Sequence, residues 1–238
     1  MSYMKKYRQK FSLIKSILGK NDPVILEIGA HYGEDTLRFL ETFAESKIYC
    51  FEPDPRNIKI FKKYVKSDNV FLQTLALSDF NKRAEFYQSY SEHCGDVPEK
   101  YDWIAKEEYV NEKLNNSGSS SLKKGYKNSL EVPIYVDTIR FDTWYDKTKI
   151  GIIDFAWIDV QGAEKEVLSG MGDEIKNINF IWIEYGEREY EGAMSRTETI
   201  IFLKQKGFTV VEKISDKGSI GDLFFINSSF LKKRYGSV

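Results

Sequence analysis

An α/β fold on a largely parallel sheet is predicted by three features of the sequence. From residue 24 onward, short β-branched and aromatic runs alternate with amphipathic helical ones. The first run ends in a glycine-cornered turn into an acidic helix start, VILEIGAHYGEDT over 24–36. Later runs such as FAWIDV (155–160) and FIWIE (180–184) are almost continuously apolar, as buried central strands are. A chain of 238 residues is most simply one domain, 1–238, with a substantial core.

The elements follow in order. Over residues 1–20, Met4, Tyr7, Phe11, Ile14 and Leu18 recur at helical spacing among Lys5, Lys6, Arg8, Lys10 and Lys15. This segment is read as a helix docked on the domain, with a membrane surface or a homodimer contact as alternatives. A strand over 24–28 leads to a helix over 35–44 that places Leu37, Leu40 and Ala44 on one face. A strand over 47–51, a helix over 57–65 burying Ile58, Phe61 and Val65, and a strand over 70–75 come next.

The alternation breaks after Ser78-Asp79. Short strands over 83–87 and 131–136 flank a long polar excursion, 88–130, which contains HCGD, KEEYVNEK and NNSGSSS. Connections of this length inside a domain are usually functional or disordered, so the excursion is read as a lid. The pattern resumes with a strand over 155–160, a helix over 163–171 and a strand over 180–184. Ser195 to Glu198 form a capping box for a helix that turns Ile200 and Leu203 inward and stops at Gly207. Strands over 208–212 and 222–226, joined by SDKGSIG, are expected to pair antiparallel. There is no internal repeat.

Thirty-five Lys+Arg against 36 Asp+Glu leave almost no net charge, so nothing argues for a nucleic-acid partner bound through its phosphates. Cys50 and Cys94 form neither a disulfide framework nor a metal cluster by spacing. No signal peptide or membrane span is visible, and the expected address is cytoplasmic.

Ligands in open α/β sheets sit beyond the carboxyl ends of the strands, and four strand ends here carry acids: Glu27, Glu52, Asp159 and Glu184. Half-buried carboxylates are costly without partners, so they predict a ligand with cationic or hydroxyl groups. Gly29 allows the backbone to turn, and Gly33 is expected to let the helix start approach the ligand. Glu52, about twenty residues on, can take both hydroxyls of an adenosine ribose. Glu27 separates the nucleotide chemistries: it would repel a pyrophosphate at the helix N-terminus, but it suits the ammonium of an amino acid attached to adenosine. S-adenosylmethionine satisfies both ends.

At these residues the chain resembles the class I S-adenosylmethionine-dependent methyltransferases, and within them the FkbM-type family of O-methyltransferases. The resemblance runs from about residue 24 to 227 on LEIGAHYGEDT, CFEPDP, TLALSD, GSSSL and WIDVQGAEKEVLSG. It implies a Rossmann-like, mostly parallel seven-stranded sheet with helices on both faces. It also implies methyl transfer to a hydroxyl of a small-molecule or glycan acceptor, a sugar or natural product. Carried onto this sequence, Glu27, Gly29, Ala30 and Gly33 cradle the methionine half, with His31 and Thr36 of the same segment in the cofactor set. Glu52 holds the ribose, Pro53 flanks the adenine, and Ala76, Leu77 and Ser78 line its edge. Asp159 faces the sulfonium and the acceptor, and Ser119 and Ser120 reach in from the excursion. Two residues depart from the pattern: His31 replaces a commoner asparagine, and Gln161 replaces a glutamate, which weakens any metal site built from that loop.

Methyl transfer needs the acceptor oxygen in line, about 3 Å away, and partly deprotonated. Asp159 is the first candidate base and Glu184 the second. The plainer alternatives are that Asp159 caps the helix near Gly162 and that Glu184 pairs with Arg188. Glu164, in a first helical turn, is explained by the helix dipole. His31 is expected to hydrogen-bond the methionine carboxylate, and His93 in the excursion is a lesser candidate base. Metal independence is expected, since two separated carboxylates are thin support for a cation site. Tyr87, Tyr90, Tyr101, Trp103 and Tyr109 offer ring faces for a sugar, although most aromatics pack. An NAD-type Rossmann oxidoreductase and a non-catalytic cofactor-binding module are the competing readings.

Overall fold

The apolar runs become strands and the amphipathic runs become helices in the computed structural model, which describes residues 3–91, 97–125, 130–187 and 189–236. In chain order the strands are β1 (Val24–Ile28), β2 (Lys47–Phe51), β3 (Val70–Gln73), β4 (Ala76–Ser78), β5 (Arg83–Tyr90), β6 (Leu130–Arg140), β7 (Ile153–Ile158), β8 (Ile178–Gly186), β9 (Phe208–Val210) and β10 (Ile220–Asn227). The helices are α1 (Tyr3–Leu18), α2 (Glu34–Thr42), α3 (Pro55–Tyr64), α4 (Lys106–Asn111), α5 (Phe141–Thr148), α6 (Glu164–Gly170), α7 (Arg196–Gln205) and α8 (Ser228–Tyr235).

Seven strands form the main sheet in the order β3-β2-β1-β7-β8-β10-β9. β10 runs antiparallel to β8 and β9, and the other neighbours are parallel. From β1 the chain winds outward to β2 and β3, and it returns to the other side of β1 only at β7. The carboxyl ends of β1 and β7 therefore border the crevice where strand order reverses, the usual ligand position in such sheets.

Strand periodicity divides the core into two layers. Leu26, Ile28, Phe51, Ile158 and Ile183 face α5, α6 and α7, where Trp144, Val167 and Leu203 meet them. Ile25, Cys50, Trp157 and Trp182 face the other way, toward Phe39 of α2 and Phe11, Ile14 and Leu18 of α1. The stripe on the N-terminal helix is thus buried against the sheet, with the Phe11 ring stacked 6.0 Å from that of Trp157. No helix among the described residues is long and apolar enough to cross a membrane.

The structure differs from the sequence reading in several places, among them Ala44, which is exposed, and Ile58, which is only half-buried. The strand expected over 70–75 ends at Gln73, and Ala76–Ser78 join a second sheet, β4-β6-β5, instead. The diverted segment packs on α6, where Gly170 lies so close to the Ser78 carbonyl that a Cβ would stand 1.9 Å from its oxygen. β6 is longer than the 131–136 expected, β5 runs on to Tyr90, and α4, α5 and α8 were not read. Phe141, Trp144 and Tyr145 carry the i, i+3, i+4 spacing that marks α5, and the Asn227 side chain caps α8 by accepting from Ser229 N at 2.9 Å.

The strand-to-helix corner is the tightest point of the fold. Gly29 has φ +89°, and a Cβ there would lie 1.8 Å from the Asp159 carbonyl oxygen, so β1 and β7 meet backbone to backbone. Gly29→Ala is expected to destabilise the protein by about 3 kcal/mol, combining backbone strain with overpacking. Urea unfolding of the variant checks this.

Candidate active site

A cavity of about 460 Å³ opens at the carboxyl ends of β1 and β7. Glu27, near the end of β1, is 1% exposed. Its Oε2 accepts from Thr36 Oγ1 at 2.5 Å and Cys50 Sγ at 3.4 Å. No cation pairs with Glu27 among the described residues, and burial together with the nearby Asp35 charge holds its carboxyl well above the usual range, against those two hydrogen bonds. Glu52, 4% exposed, ends β2. Its oxygens accept from His31 N (2.8 Å), Asp54 N (2.8 Å) and Asn57 Nδ2 (3.2 Å), tying the β1–α2 and β2–α3 turns together. Burial and the Asp54 charge push it up to about 7.

The amide of Asn57, itself 2% exposed, leaves its Oδ1 buried without a partner. Glu27, Glu52 and Asn57 thus present acceptors and no donor of positive charge, which fits the ammonium and ribose hydroxyls of S-adenosylmethionine. The backbone of the turn fits the same ligand and opposes a pyrophosphate. Gly29 N and Ala30 N donate to the Phe51 carbonyl, Gly33 N to the Ala30 carbonyl, His31 N to Glu52 and Tyr32 N to Glu34, so these N–H groups are engaged.

The excursion is fastened over this turn. His31, at φ +51°, donates through Nδ1 to Glu34 Oε1 (2.9 Å) and through Nε2 to Ser117 Oγ (3.0 Å). Ser117 bonds the Tyr32 hydroxyl, which donates to the Leu114 carbonyl at 2.8 Å. Burial alone would depress His31, but Glu34 and Glu52 outweigh it and hold the imidazole above its ordinary value, consistent with both ring nitrogens donating. Further along, Ser120 Oγ accepts from Ser89 N (3.0 Å) and Arg56 Nη2 (3.2 Å). Tyr101, Ile104, Tyr109 and Leu114 bury themselves against Tyr32, giving the excursion a core of its own.

The far wall of the cavity holds a carboxylate network. Gln161, at φ +55°, donates from Nε2 to Asp159 Oδ1 (2.6 Å) and to Glu184 Oε2 (2.8 Å). The Tyr190 hydroxyl lies 2.9 Å from Gln161 Oε1 and 3.1 Å from the Ser119 carbonyl, fixing which end of the amide faces the acids. Its ring packs on Gly162, where a Cβ would meet Tyr190 at 2.4 Å. Burial raises both acids, and Glu184 rises further because the Asp159 charge stands beside it. Burial and the charge of Asp159 beside it favour the protonated form of Glu184, which is pushed up to about 10. Glu164 turns inward and accepts from Val160 N and Gly162 N (3.3 and 3.1 Å), and burial lifts it to about 7. Tyr190→Phe is expected to lower the turnover rate about tenfold with cofactor affinity unchanged, because the freed amide can rotate. Separate kcat and calorimetric measurements check it.

The expected site residues divide accordingly. Glu27, Gly29, Ala30, His31, Glu52, Pro53, Ala76, Leu77, Ser119, Ser120 and Asp159 all border the cavity. Thr36 acts one layer back, by holding Glu27. Gly33 faces Val65 and Phe61, where a Cβ would meet carbons at 2.4 and 2.9 Å, so packing against α3 and its end demands this glycine rather than a ligand. Ser78 points away, with Oγ donating to Asp79 at 3.4 Å, and Glu184 reaches the cavity through Gln161. His31 has both ring nitrogens committed to Glu34 and Ser117 and so fastens the excursion instead of meeting a ligand carboxylate. Asp159 does not cap α6, whose N-terminus carries no side-chain cap; the loop before it is held by Glu164, which accepts from Val160 N and Gly162 N. Tyr101 and Tyr109 are core, and Trp103 packs on Tyr64. His93, Cys94 and Arg188 lie outside the described residues. Among the described residues no three His, Cys, Asp or Glu side chains are grouped to hold a metal ion. Ser117, Asn57 and Tyr190 were missed. Ser117 stands in the quoted NNSGSSS, whereas Asn57 and Tyr190 carry no local pattern.

A glycine-cornered β1–α2 turn, an acid at the end of β2 and an acidic wall on β7 define an S-adenosylmethionine-dependent methyltransferase. The chain matches the model of the methyltransferase FkbM domain over residues 27–210. It is 35% identical over 200 residues to the 2-O-methyltransferase NoeI of Sinorhizobium fredii (strain NBRC 101917 / NGR234), covering 81% of this chain and 74% of that protein. Among solved structures, magnesium protoporphyrin IX methyltransferase (ChlM) from Synechocystis PCC 6803 with bound SAM aligns with a TM-score of 0.48 at 8% identity, over 96% of this chain and 85% of that one. Precorrin-6y C5,15-methyltransferase from Geobacter metallireducens GS-15 aligns at 0.44 and 12% identity, over 91% and 86%. The protein belongs to the FkbM methyltransferase family, and it is an S-adenosylmethionine-dependent O-methyltransferase. The nicotinamide alternative is set aside.

Proposed function

We propose that this protein methylates a hydroxyl of an uncharged sugar, glycan or hydroxylated natural product, with Asp159 as the general base. The observation that carries the proposal is the Asp159–Gln161–Glu184 network at the cavity wall, in which one side-chain amide donates to both carboxylates. When bound, S-adenosylmethionine supplies an electrophilic methyl group. Glu27 would hold its ammonium, Glu52 and Asn57 its ribose hydroxyls, and Lys100 at the cavity wall its carboxylate. Asp159 accepts the proton of the acceptor hydroxyl as that oxygen gains nucleophilicity. Gln161 keeps Asp159 aimed, and the neutral Glu184 spares it a second adjacent charge.

The acidic surroundings disfavour phosphate- or carboxylate-bearing acceptors. The name of the relative, a 2-O-methyltransferase, makes a 2-hydroxyl the first position to test. Transfer of isotopically labelled methyl onto a panel of deoxysugars, glycans and hydroxylated polyketides is expected to find an acceptor among them. Labelling of protein or nucleic acid alone would refute the proposal.

A further inference from the structure

Lys10 is a charged residue on the docked side of α1. It lies four residues before the buried Ile14 and next to the buried Phe11. Strand register shows what it meets. Trp157 of β7 is opposite Trp182 of β8, and Trp182 is opposite Phe224 of β10. Two positions further toward the cavity end, on the same sheet face, stand Asp159 after β7, Glu184 on β8 and Asp222 on β10, with Asp222 directly opposite Glu184. Three carboxylates from three adjacent strands therefore stand beside a row of three aromatic rings. Lys10 Nζ lies 4.2 Å from the Trp157 ring centroid, 4.5 Å from that of Trp182 and 3.0 Å from Asp222 Oδ2.

We propose that Lys10 is a positioning residue of the methyl-transfer site: its ammonium, held by α1 against the Trp157–Trp182 pair, is the cation that keeps Asp159 ionised within this row of acids. The proposal rests on the reading of Asp159 as the base. Carboxylates on neighbouring strands cannot all carry charge without a nearby cation, and a ring pair is a good seat for an ammonium that must stay dry on one side. Around the row, Glu27 of β1, in register with Trp157, is held by Thr36 and Cys50, and Asp216 accepts from Asp222 N at 3.3 Å. Asp35 of α2 is paired with Arg38 at 2.7 Å, Glu164 of α6 is held by backbone N–H groups, and Tyr190 is bound to Gln161 and the Ser119 carbonyl. Lys10 acts on both Asp159 and Asp35 through space.

The test uses the full chain with ¹³C-labelled Asp and Glu carboxyl groups, saturated with S-adenosylhomocysteine and titrated by NMR, with signals assigned through Asp159→Asn and Glu184→Gln. In Lys10→Met, which keeps the apolar stem, titration of the Asp159–Glu184 pair is expected to move up by about one pH unit. Lys10→Arg is expected to restore it, and affinity for S-adenosylhomocysteine is expected to stay within about twofold of wild type. Lys10→Gln carries the same comparison if the Met variant does not fold. Superimposable titrations in wild type and Lys10→Met, or an equal displacement in Lys10→Arg, would overturn the proposal. Should Asp159→Asn retain methyl transfer while Lys10→Met still displaces the titration, the base assignment fails and the electrostatic role of Lys10 stands.

Discussion

Asp159→Asn is expected to slow methyl transfer by about 10³-fold, within the usual range for loss of a general base. Asparagine preserves the shape, and its carbonyl can still accept from Gln161 Nε2, so the change removes charge and basicity while leaving the network in place. Affinity for S-adenosylhomocysteine should hold within about threefold. The wild-type rate should climb with pH as Asp159 loses its proton, at a pH above the ordinary aspartate range because burial raises it. The Asn variant should lack that limb. Glu184→Gln offers the contrast. Glu184 is already neutral at pH 7, and glutamine is its neutral isostere, so a loss below about tenfold is expected. Initial rates on an acceptor from the panel decide both. Retention of most activity by Asp159→Asn would remove the base assignment, and a chain that binds cofactor but transfers nothing would revive the non-catalytic reading.

Glu27→Gln is expected to weaken S-adenosylmethionine binding about 10²-fold, since truncating one side of a buried charge pair commonly costs 2–5 kcal/mol. The same change should raise the unfolding temperature of the free protein. Glu27 without ligand is a buried carboxylate whose hydrogen bonds from Thr36 and Cys50 do not offset its burial and the Asp35 charge. The sign of the pH effect follows. In the free protein the carboxyl holds its proton above the ordinary range, and the ligand ammonium favours the ionised form, so binding releases a proton and tightens as pH rises. Isothermal titration calorimetry in buffers of different ionisation enthalpy reads that proton, and Glu27→Gln should remove its share. Glu52 and Glu164, lifted from near 4.5 to about 7 by burial, add a related effect. Folding raises their proton affinity, so the free protein should lose stability as pH climbs from about 4.5 to about 7. Thermal melts across that window test it. Weaker binding with no gain in stability would show that Glu27 is structural.

Much of the cofactor half was legible because its signals are local. Glu27 and Glu52 end apolar strands, Gly29 sits at the corner, and alternation of strands and helices places these ends along one edge of the sheet. Even here the reason for a residue could be misjudged. Gly33 looked like a ligand contact and proved to be a packing requirement against Val65 and Phe61, while Thr36 serves Glu27 rather than the cavity. Both cases turn on what lies on the far side of the turn, which the turn's own sequence does not contain.

By itself, then, the sequence determined the fold, the cofactor class and the sheet edge at which the cavity opens, because strand periodicity and a glycine corner act within a few residues of one another. Only the tertiary structure decided how the acids are arranged for chemistry. His31 meets Ser117 across 86 positions, Tyr190 meets Ser119 across 71, and Lys10 meets Asp222 across 212. Hydrogen bonds and ion pairs of that kind leave no period in the chain: they depend on which loops the packed sheet brings within 3 Å, and that is settled when the whole core closes.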